Sequence, residues 1–180
     1  MHVKIRKTTL AITEKEFRSL SGDVLIFTAN DYLWMGNETA SLIKKLAGDT
    51  VEQEALNQGP APLGTVVVTQ AGNLPYRYIF HAVCMGQDGR IDTDEIKKYV
   101  IQSLQTTEIK QCADIIMLPF YTQHCDAPLY TVAQQMIQGC MEHCIKKSAI
   151  KNITLSIPDE NIFSVFEDTL TKLFSIKKQN

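Results

Sequence analysis

The sequence predicts an α/β fold, a three-layer α/β/α sandwich around a mixed, mostly parallel central sheet. Three observations carry that expectation. Apolar runs such as Val24-Leu25-Ile26-Phe27 are short and do not alternate with polar residues, as strands buried on both faces require. Amphipathic stretches of helical period separate these runs, so strands and helices alternate along the chain. The apolar runs at residues 65–70 and 78–84 are joined by a short turn-rich segment, which adds an antiparallel pair to the sheet.

Size and composition set the outer bounds. The 180 residues are 44% hydrophobic and 21% charged, with 9 Gly and 6 Pro; this fits one soluble globular domain over residues 1–180 and excludes disordered, collagen-like and disulfide-scaffold classes. A chain of this size buries roughly 70% of the surface its unfolded form exposes, so its stability requires no metal, disulfide or cofactor. Eighteen Lys and Arg against twenty Asp and Glu give a net charge of −2, which argues against a general nucleic-acid footprint or a polybasic membrane surface. Cys84, Cys112, Cys125, Cys140 and Cys144 are odd in number and lack CxxC spacing, and they read as reduced thiols of an intracellular protein. No run approaches the ~18 apolar residues of a membrane span, and the start Met1-His2-Val3-Lys4 lacks a signal peptide's apolar segment, so the expected location is cytoplasmic. The glycosylation-type triplets at Asn37 and Asn152 then carry no weight.

In chain order, a strand is expected over residues 3–9 and a helix from about residue 13. The run from Val24 continues as a strand to Asn30. A helix starts near Thr39 and ends at Gly48, the residue type that tolerates a left-handed helix end. Asp49-Thr50 then offers a cap for a short helix to about residue 57. Gly59, Pro60, Pro62 and Gly64 mark a loop before the strand at 65–70, and residues 71–75 turn into the strand at 78–84. Asp92 followed by Glu95 has capping-box spacing for a helix to about residue 105. Residues 114–118 form a second buried strand, closed by Pro119. After Pro128, the apolar positions Leu129, Val132, Ala133, Met136, Ile137, Cys140, Met141 and Cys144 recur at helical spacing. Residues 152–157 form the last strand, and Pro158-Asp159 opens a final helix. In such sheets ligands bind beyond the carboxyl ends of the strands, and two loops qualify, residues 29–38 and 119–127.

The segment Asp23-Val24-Leu25-Ile26-Phe27-Thr28-Ala29-Asn30, followed by Leu33-Trp34-Met35-Gly36 and the helix over residues 40–48, resembles the start of a macro domain, the ADP-ribose-binding fold. The resemblance continues through residues 64–69, through Gly72-Asn73-Leu74-Pro75 and through Tyr78-Ile79-Phe80-His81. It covers roughly residues 20–85; beyond them only the pattern of elements and Pro119 match. What the resemblance implies is a cleft for ADP-ribose or a related nucleotide, with an ADP-ribosylated protein as a further partner. Asn30 matches the residue at the distal ribose and is the one catalytic candidate. The implied ligand contacts fall on Phe27, Asn30, Gly36, Asn37, Glu38 and Thr39 in the first loop and on Tyr121, Thr122, Gln123, His124, Cys125 and Asp126 in the second. A loop-to-helix junction suits an anion, because it presents free N–H groups and a partial positive charge. No metal and no cofactor is implied.

The departures from the family pattern matter as much. Phe27 stands where many members have the first Asn of the strand motif, and Gly36-Asn37-Glu38-Thr39 where they have a run of glycines. Ala40 and Lys44 stand where hydrolysing members carry an Asp and a His. Residues 121–128 contain no Gly, and Leu10-Ala11-Ile12-Thr13 supplies no acidic residue where members contact adenine. If Glu38 faced the pyrophosphate at about 4 Å, repulsion at an effective dielectric of about 20 would approach 4 kcal/mol, close to three decades of affinity. The first expectation is binding of ADP-ribose or a related ADP-ribosyl nucleotide, with weak ADP-ribosyl hydrolase or phosphoesterase activity or none. Any hydrolysis would be substrate-assisted, Asn30 orienting the distal ribose while the Gly36 loop holds a water. The alternative is a macro fold that has lost ADP-ribose and serves as a protein-interaction domain or takes another small ligand.

Several side chains carry a structural expectation beside a chemical one. Trp34 and Met35 read first as burial anchors of their loop and second as cleft-lining residues, and Tyr121 as a loop aromatic or a ligand contact. The neighbours His124-Cys125-Asp126 hold a base, a thiol and a carboxylate, but catalytic partners converge from separate parts of a fold. Cys140, His143 and Cys144 have metal-ligand spacing, yet both thiols continue an apolar stripe and read as core. His81, among apolar strand neighbours, reads as a buried, hydrogen-bonded imidazole.

Overall fold

The computed structural model describes residues 1–122, 124–125, 127–146 and 148–177. Their strands form a single seven-stranded sheet. β1 (His2–Ile5) and β2 (Thr8–Thr13) make a hairpin; β3 (Val24–Asn30), β4 (Val66–Gln70), β5 (Tyr78–Met85), β6 (Asp114–Met117) and β7 (Asn152–Ser156) complete the order β1-β2-β7-β6-β3-β5-β4. The five inner strands run parallel, and β1 and β4 are antiparallel edges. Helices α1 (Glu38–Ala47) and α2 (Thr50–Leu56) cover one face, and α3 (Ile96–Ile109), α4 (Leu129–Ile145) and α5 (Glu160–Lys177) the other. This is the mixed, mostly parallel sandwich that the sequence predicts.

The composition of β3 follows from its place in the sheet. Val24 and Ile26 enter the core beneath α3, α4 and α5, while Leu25 and Phe27 enter the core beneath α1, so all seven strand residues are buried. Each large apolar side chain removed from water contributes ~1.5–3 kcal/mol, which holds β3 in the interior. At its carboxyl end the register with β5 shifts, Ala29 facing Val83 and Asn30 facing Met85. That irregularity re-aims the chain into the loop that follows. Gly72 ties the β4–β5 connection to the end of α1. Its φ is +57°, and a Cβ there would lie 2.1 Å from the carbonyl oxygen of Ala47.

Four local expectations need correction. The strand expected over residues 3–9 is two strands: Arg6, at φ 55°, turns the chain so that Ile5 pairs with Thr8. Neither Gly nor Asn marks that turn, so its sequence carried no signal. The helix expected from residue 13 is a single 3-10 turn, Phe17–Ser19. Pairing of Thr13 with Ser156 and burial of Phe17 outweigh the helical preference of Glu14, Lys15 and Glu16. Asp92 caps only a 3-10 turn, Thr93–Glu95, and Glu95 pairs with Lys98 at 2.6 Å instead of closing a capping box. Asp49 precedes α2 without a side-chain cap bond. Gly48 does end α1, at φ 102°, and Asp159 does open α5, its Oδ1 accepting the N–H of Ile162 at 2.9 Å. No helix among the described residues is long and apolar enough to cross a membrane.

Candidate functional site

The carboxyl ends of β3, β6 and β7 open onto a groove of three connected compartments. The first, about 340 Å³, is apolar, walled by Phe17, Phe27, Leu118, Pro119, Ile157 and Ile162. The second, about 490 Å³, lies at the start of α1 between Asn37, Glu38, Thr39 and the facing Tyr121, Thr122 and His124. The third, about 120 Å³, is bounded by Asn30, Trp34, Gly86, Gln87, Thr122 and His124. Thr28, Glu38, Tyr121 and Asp159 line both larger compartments, while Asn37, Thr122 and His124 join the second to the third.

The apolar wall is held from behind. The Tyr76 hydroxyl donates to the Phe17 carbonyl, and burial pushes that phenol up to about 12, so it stays a donor. Phe27 packs edge-on against His81 with ring centroids 4.9 Å apart. His81 is fully buried, its Nε2 is 3.0 Å from Thr69 Oγ1, and its Nδ1 has no partner among the described residues. Burial pushes its pKa down to about 3, leaving an imidazole that supports Phe27 and stays neutral at neutral pH.

The polar end is built by cross-ties between loops. Asn30 Nδ2 donates to the Trp34 carbonyl at 2.7 Å, and its Oδ1 accepts the N–H groups of Tyr32 and Trp34 at 3.1 and 3.2 Å. Gln87 Nε2 donates to Asp31 at 2.6 Å, and Thr122 Oγ1 donates to the Gly89 carbonyl at 3.0 Å. Asn37 caps α1, its Oδ1 accepting the Ala40 N–H at 2.8 Å. Glu52 fastens the loop from the other side, accepting the Met35 N–H at 2.9 Å and pairing with Lys44. Burial works to raise the Glu52 carboxyl, but Lys44 and the Met35 N–H together hold it below its ordinary value.

Of the residues singled out from the sequence, Phe27, Asn30, Asn37, Glu38, Thr39, Tyr121, Thr122 and His124 line the groove. Gly36 and Cys125 are not among its lining residues, and Gln123 and Asp126 lie outside the described residues. Gly36 is covered by the Trp34 indole; a Cβ there would sit 2.3 Å from the ring. Trp34 itself corrects an expectation, because it is 59% exposed and the anchor by burial is Met35 alone. Asn30 binds both backbone polar groups of Trp34 and Gly36 leaves room above it, so the ring stays at the surface. Ala40 is buried and Lys44 is engaged with Glu52, so neither lines the groove. His124 lines the groove, whereas Cys125 packs against the main core, so the two do not converge. Cys140 and Cys144 also enter that core, and His143 turns to Glu108 at 3.2 Å.

Sequence reasoning missed the third wall, Phe17, Ser156, Asp159 and Ile162. For Asp159 a signal existed. Its position just after the last parallel strand puts it at the carboxyl edge of the sheet as well as at the helix cap.

The Macro domain family model matches residues 26–137, more than half of the chain. The chain belongs to the macro domain family. It is 26% identical over 166 residues to an uncharacterized protein of Aquifex aeolicus, covering 89% of this chain and 97% of that one. Its fold is similar to that of the Oceanobacillus iheyensis macrodomain with ADP, at a TM-score of 0.84 and 20% identity over 97% of this chain and 96% of that one. It is also similar to the Trypanosoma brucei macrodomain in complex with ADP-ribose, at a TM-score of 0.79 and 18% identity over 92% and 69%. The macro domain match takes in both loop arms of the groove, residues 27–39 and the arm carrying Tyr121, Thr122 and His124, and stops before β7 and α5. Ser156, Asp159 and Ile162 therefore come to the macro domain groove from outside the matched segment.

Proposed function

We propose that this macro domain binds ADP-ribose or a related ADP-ribosyl nucleotide in the three-compartment groove. The continuity of the groove carries the reading. A ligand with a flat ring, a polar linker and a terminal sugar has the same sequence of chemistries as an apolar compartment, a helix start and a small polar end. In this arrangement Phe27, Leu118 and Ile157 face the ring, the start of α1 with Thr39 and Thr122 borders the linker, and Asn30 contacts the distal ribose through the amide hydrogen that Trp34 does not use. The solved relatives with ADP or ADP-ribose support the same class of ligand. An ADP-ribosylated protein would enter with its modified side chain at the Trp34 end. Because Ala40 is buried and Lys44 is paired with Glu52, hydrolysis is weak or absent.

Calorimetric titration of ADP-ribose at moderate salt, with AMP and ribose phosphate as controls, tests this directly. Saturable binding in the high micromolar range is expected. No heat up to millimolar ligand would overturn it. One observation favours the second reading, a macro fold turned to another small ligand or to a protein partner: the carboxylate-bearing residues Glu38 and Asp159 both line the two larger compartments.

A further inference from the structure

Trp34 combines exposure with a fixed position. Asn30 binds both its backbone polar groups, accepting the N–H at 3.2 Å and donating to the carbonyl at 2.7 Å. One residue on, the loop is clamped again, because Met35 is buried and Glu52 accepts its N–H at 2.9 Å. A Cβ on Gly36 would lie 2.3, 2.4 and 2.5 Å from three consecutive carbons of the six-membered indole ring, and such near-equal distances put that point over the face of the ring. The indole therefore lies flat on the Gly36 backbone, a fit that a larger residue would break. The residue is nonetheless 59% exposed, and it lines the small polar compartment of the groove. An indole held by its loop, with one face on the backbone, is a stacking surface already ordered before a ligand arrives.

The surroundings select what stacks there. Among the described residues lining this compartment none is a lysine or an arginine, and its one basic side chain is that of His124. Two carboxylates stand at its rim. Asp31 accepts from the lining residue Gln87 at 2.6 Å, and Asp88 Oδ1 lies 3.6 Å from the place a Cβ on the lining residue Gly86 would take. Arg90 joins the same turn through its backbone, donating its N–H to Asp88 at 3.1 Å, and does not line the compartment. The face of an indole is negative, and the two carboxylates add to the same field, so the favoured occupant is planar and positive.

We propose that Trp34 is a stacking platform for a planar cation carried on the anomeric carbon of the distal ribose, the guanidinium of an ADP-ribosylated arginine or the nicotinamide of NAD+. This rests on the reading that the groove binds ADP-ribosyl nucleotides, and it names the group that follows the distal ribose. Asn30 and Trp34 line the same compartment of about 120 Å³, so a ribose held at Asn30 has the indole as its neighbour. A neutral or anionic attachment gains nothing from that ring, and Trp34 thereby sets specificity beyond the nucleotide itself.

Calorimetric titration of ADP-ribose, ADP-ribosyl-agmatine, NAD+ and NADH into the wild type, Trp34→Phe and Trp34→Leu tests it. At least one of the two cationic ligands is expected to bind the wild type about fivefold or more tighter than ADP-ribose, the size of a partly desolvated cation–π contact. NADH, whose ring carries no charge, shows no such gain. The preference persists in part in Trp34→Phe and falls to within about twofold of parity in Trp34→Leu. Where NAD+ is the ligand that gains, saturation with it also lowers the emission of the single tryptophan further than ADP-ribose does. A gain confined to ADP-ribosyl-agmatine assigns the platform to modified arginine, and one confined to NAD+ assigns it to the dinucleotide. If ADP-ribose binds and neither cation gains, or if the gain survives in Trp34→Leu, the platform is overturned while nucleotide binding stands. An equal gain for NADH and NAD+ overturns the selection of a cation. The wild-type ratios and Trp34→Phe decide the outcome even where Trp34→Leu does not fold. If none of the four ligands binds the wild type, both the platform and the nucleotide reading fall.

Discussion

At one end of the groove Phe27, Leu118 and Ile157 are core residues of the sheet first and groove-lining residues second; at the other, Gln87 and Thr122 tie three loops together and Asn30 fixes the turn to Trp34 through a handful of hydrogen bonds. The apolar end is obtained with the fold, because removing its side chains also removes the packing of β3 and β6. The polar end depends on individual donors and acceptors and can change its chemistry without unfolding the protein. The proposed ligand discrimination is thus concentrated where the scaffold is least constrained.

The largest expected effect breaks the apolar end. Phe27→Ala should lower stability by ~3–5 kcal/mol in urea unfolding, since it opens a cavity between α1, His81 and the ligand compartment. A loss below ~1 kcal/mol would mean that the ring serves the ligand only and that the two ends are built alike. A smaller effect on stability, and a larger one on the ligand, is expected from Asn30→Ala. It strips partners from the Trp34 carbonyl and from the N–H groups of Tyr32 and Trp34, at a cost of ~1–3 kcal/mol. ADP-ribose affinity should fall at least tenfold; unchanged affinity would remove Asn30 from the site.

The smallest effect uses pH. Glu52 is depressed in the folded state, so its contribution to stability is present above the unfolded carboxyl value of about 4.3 and is lost as pH falls through the folded value. Acidification through that lowered value should therefore free Met35 and Lys44 and loosen the loop at residues 31–36 before the sheet melts. The single tryptophan, Trp34, reports on that loop, and its emission should change ahead of the far-ultraviolet signal. Coincident transitions would show that both ends unfold as one unit.

The sequence is most readable where packing decides the outcome. The unalternating run at Val24, the Gly48 helix end and the strand closed by Pro119 are local consequences of burial and backbone preference, and the first loop arm is carried by its resemblance to macro domains. What was hidden depends on partners distant in the chain. The helix expected at residue 13 loses to a strand pairing with residues near 156, and Asp159 reaches the groove only through the docking of the last strand and helix. Trp34 defies its composition because both its backbone polar groups are fixed by Asn30, a contact that no periodicity reveals.

Pairing of β2 with β7 also orders events during synthesis. Thr9 lies opposite Asn152, and the Thr8 hydroxyl donates to the carbonyl of Ile150, 142 positions away. Chains emerge amino end first at about 5–20 residues per second, and distant pairings form late because their loop closure is costly. The β1–β2 and β4–β5 hairpins can close on the ribosome, but β2 has no parallel neighbour until residues 152–156 appear. Both loop arms can then be present on a nascent chain that still lacks Asp159 and Ile162, and with them a wall of the groove. The groove is complete only after that last strand and helix have docked.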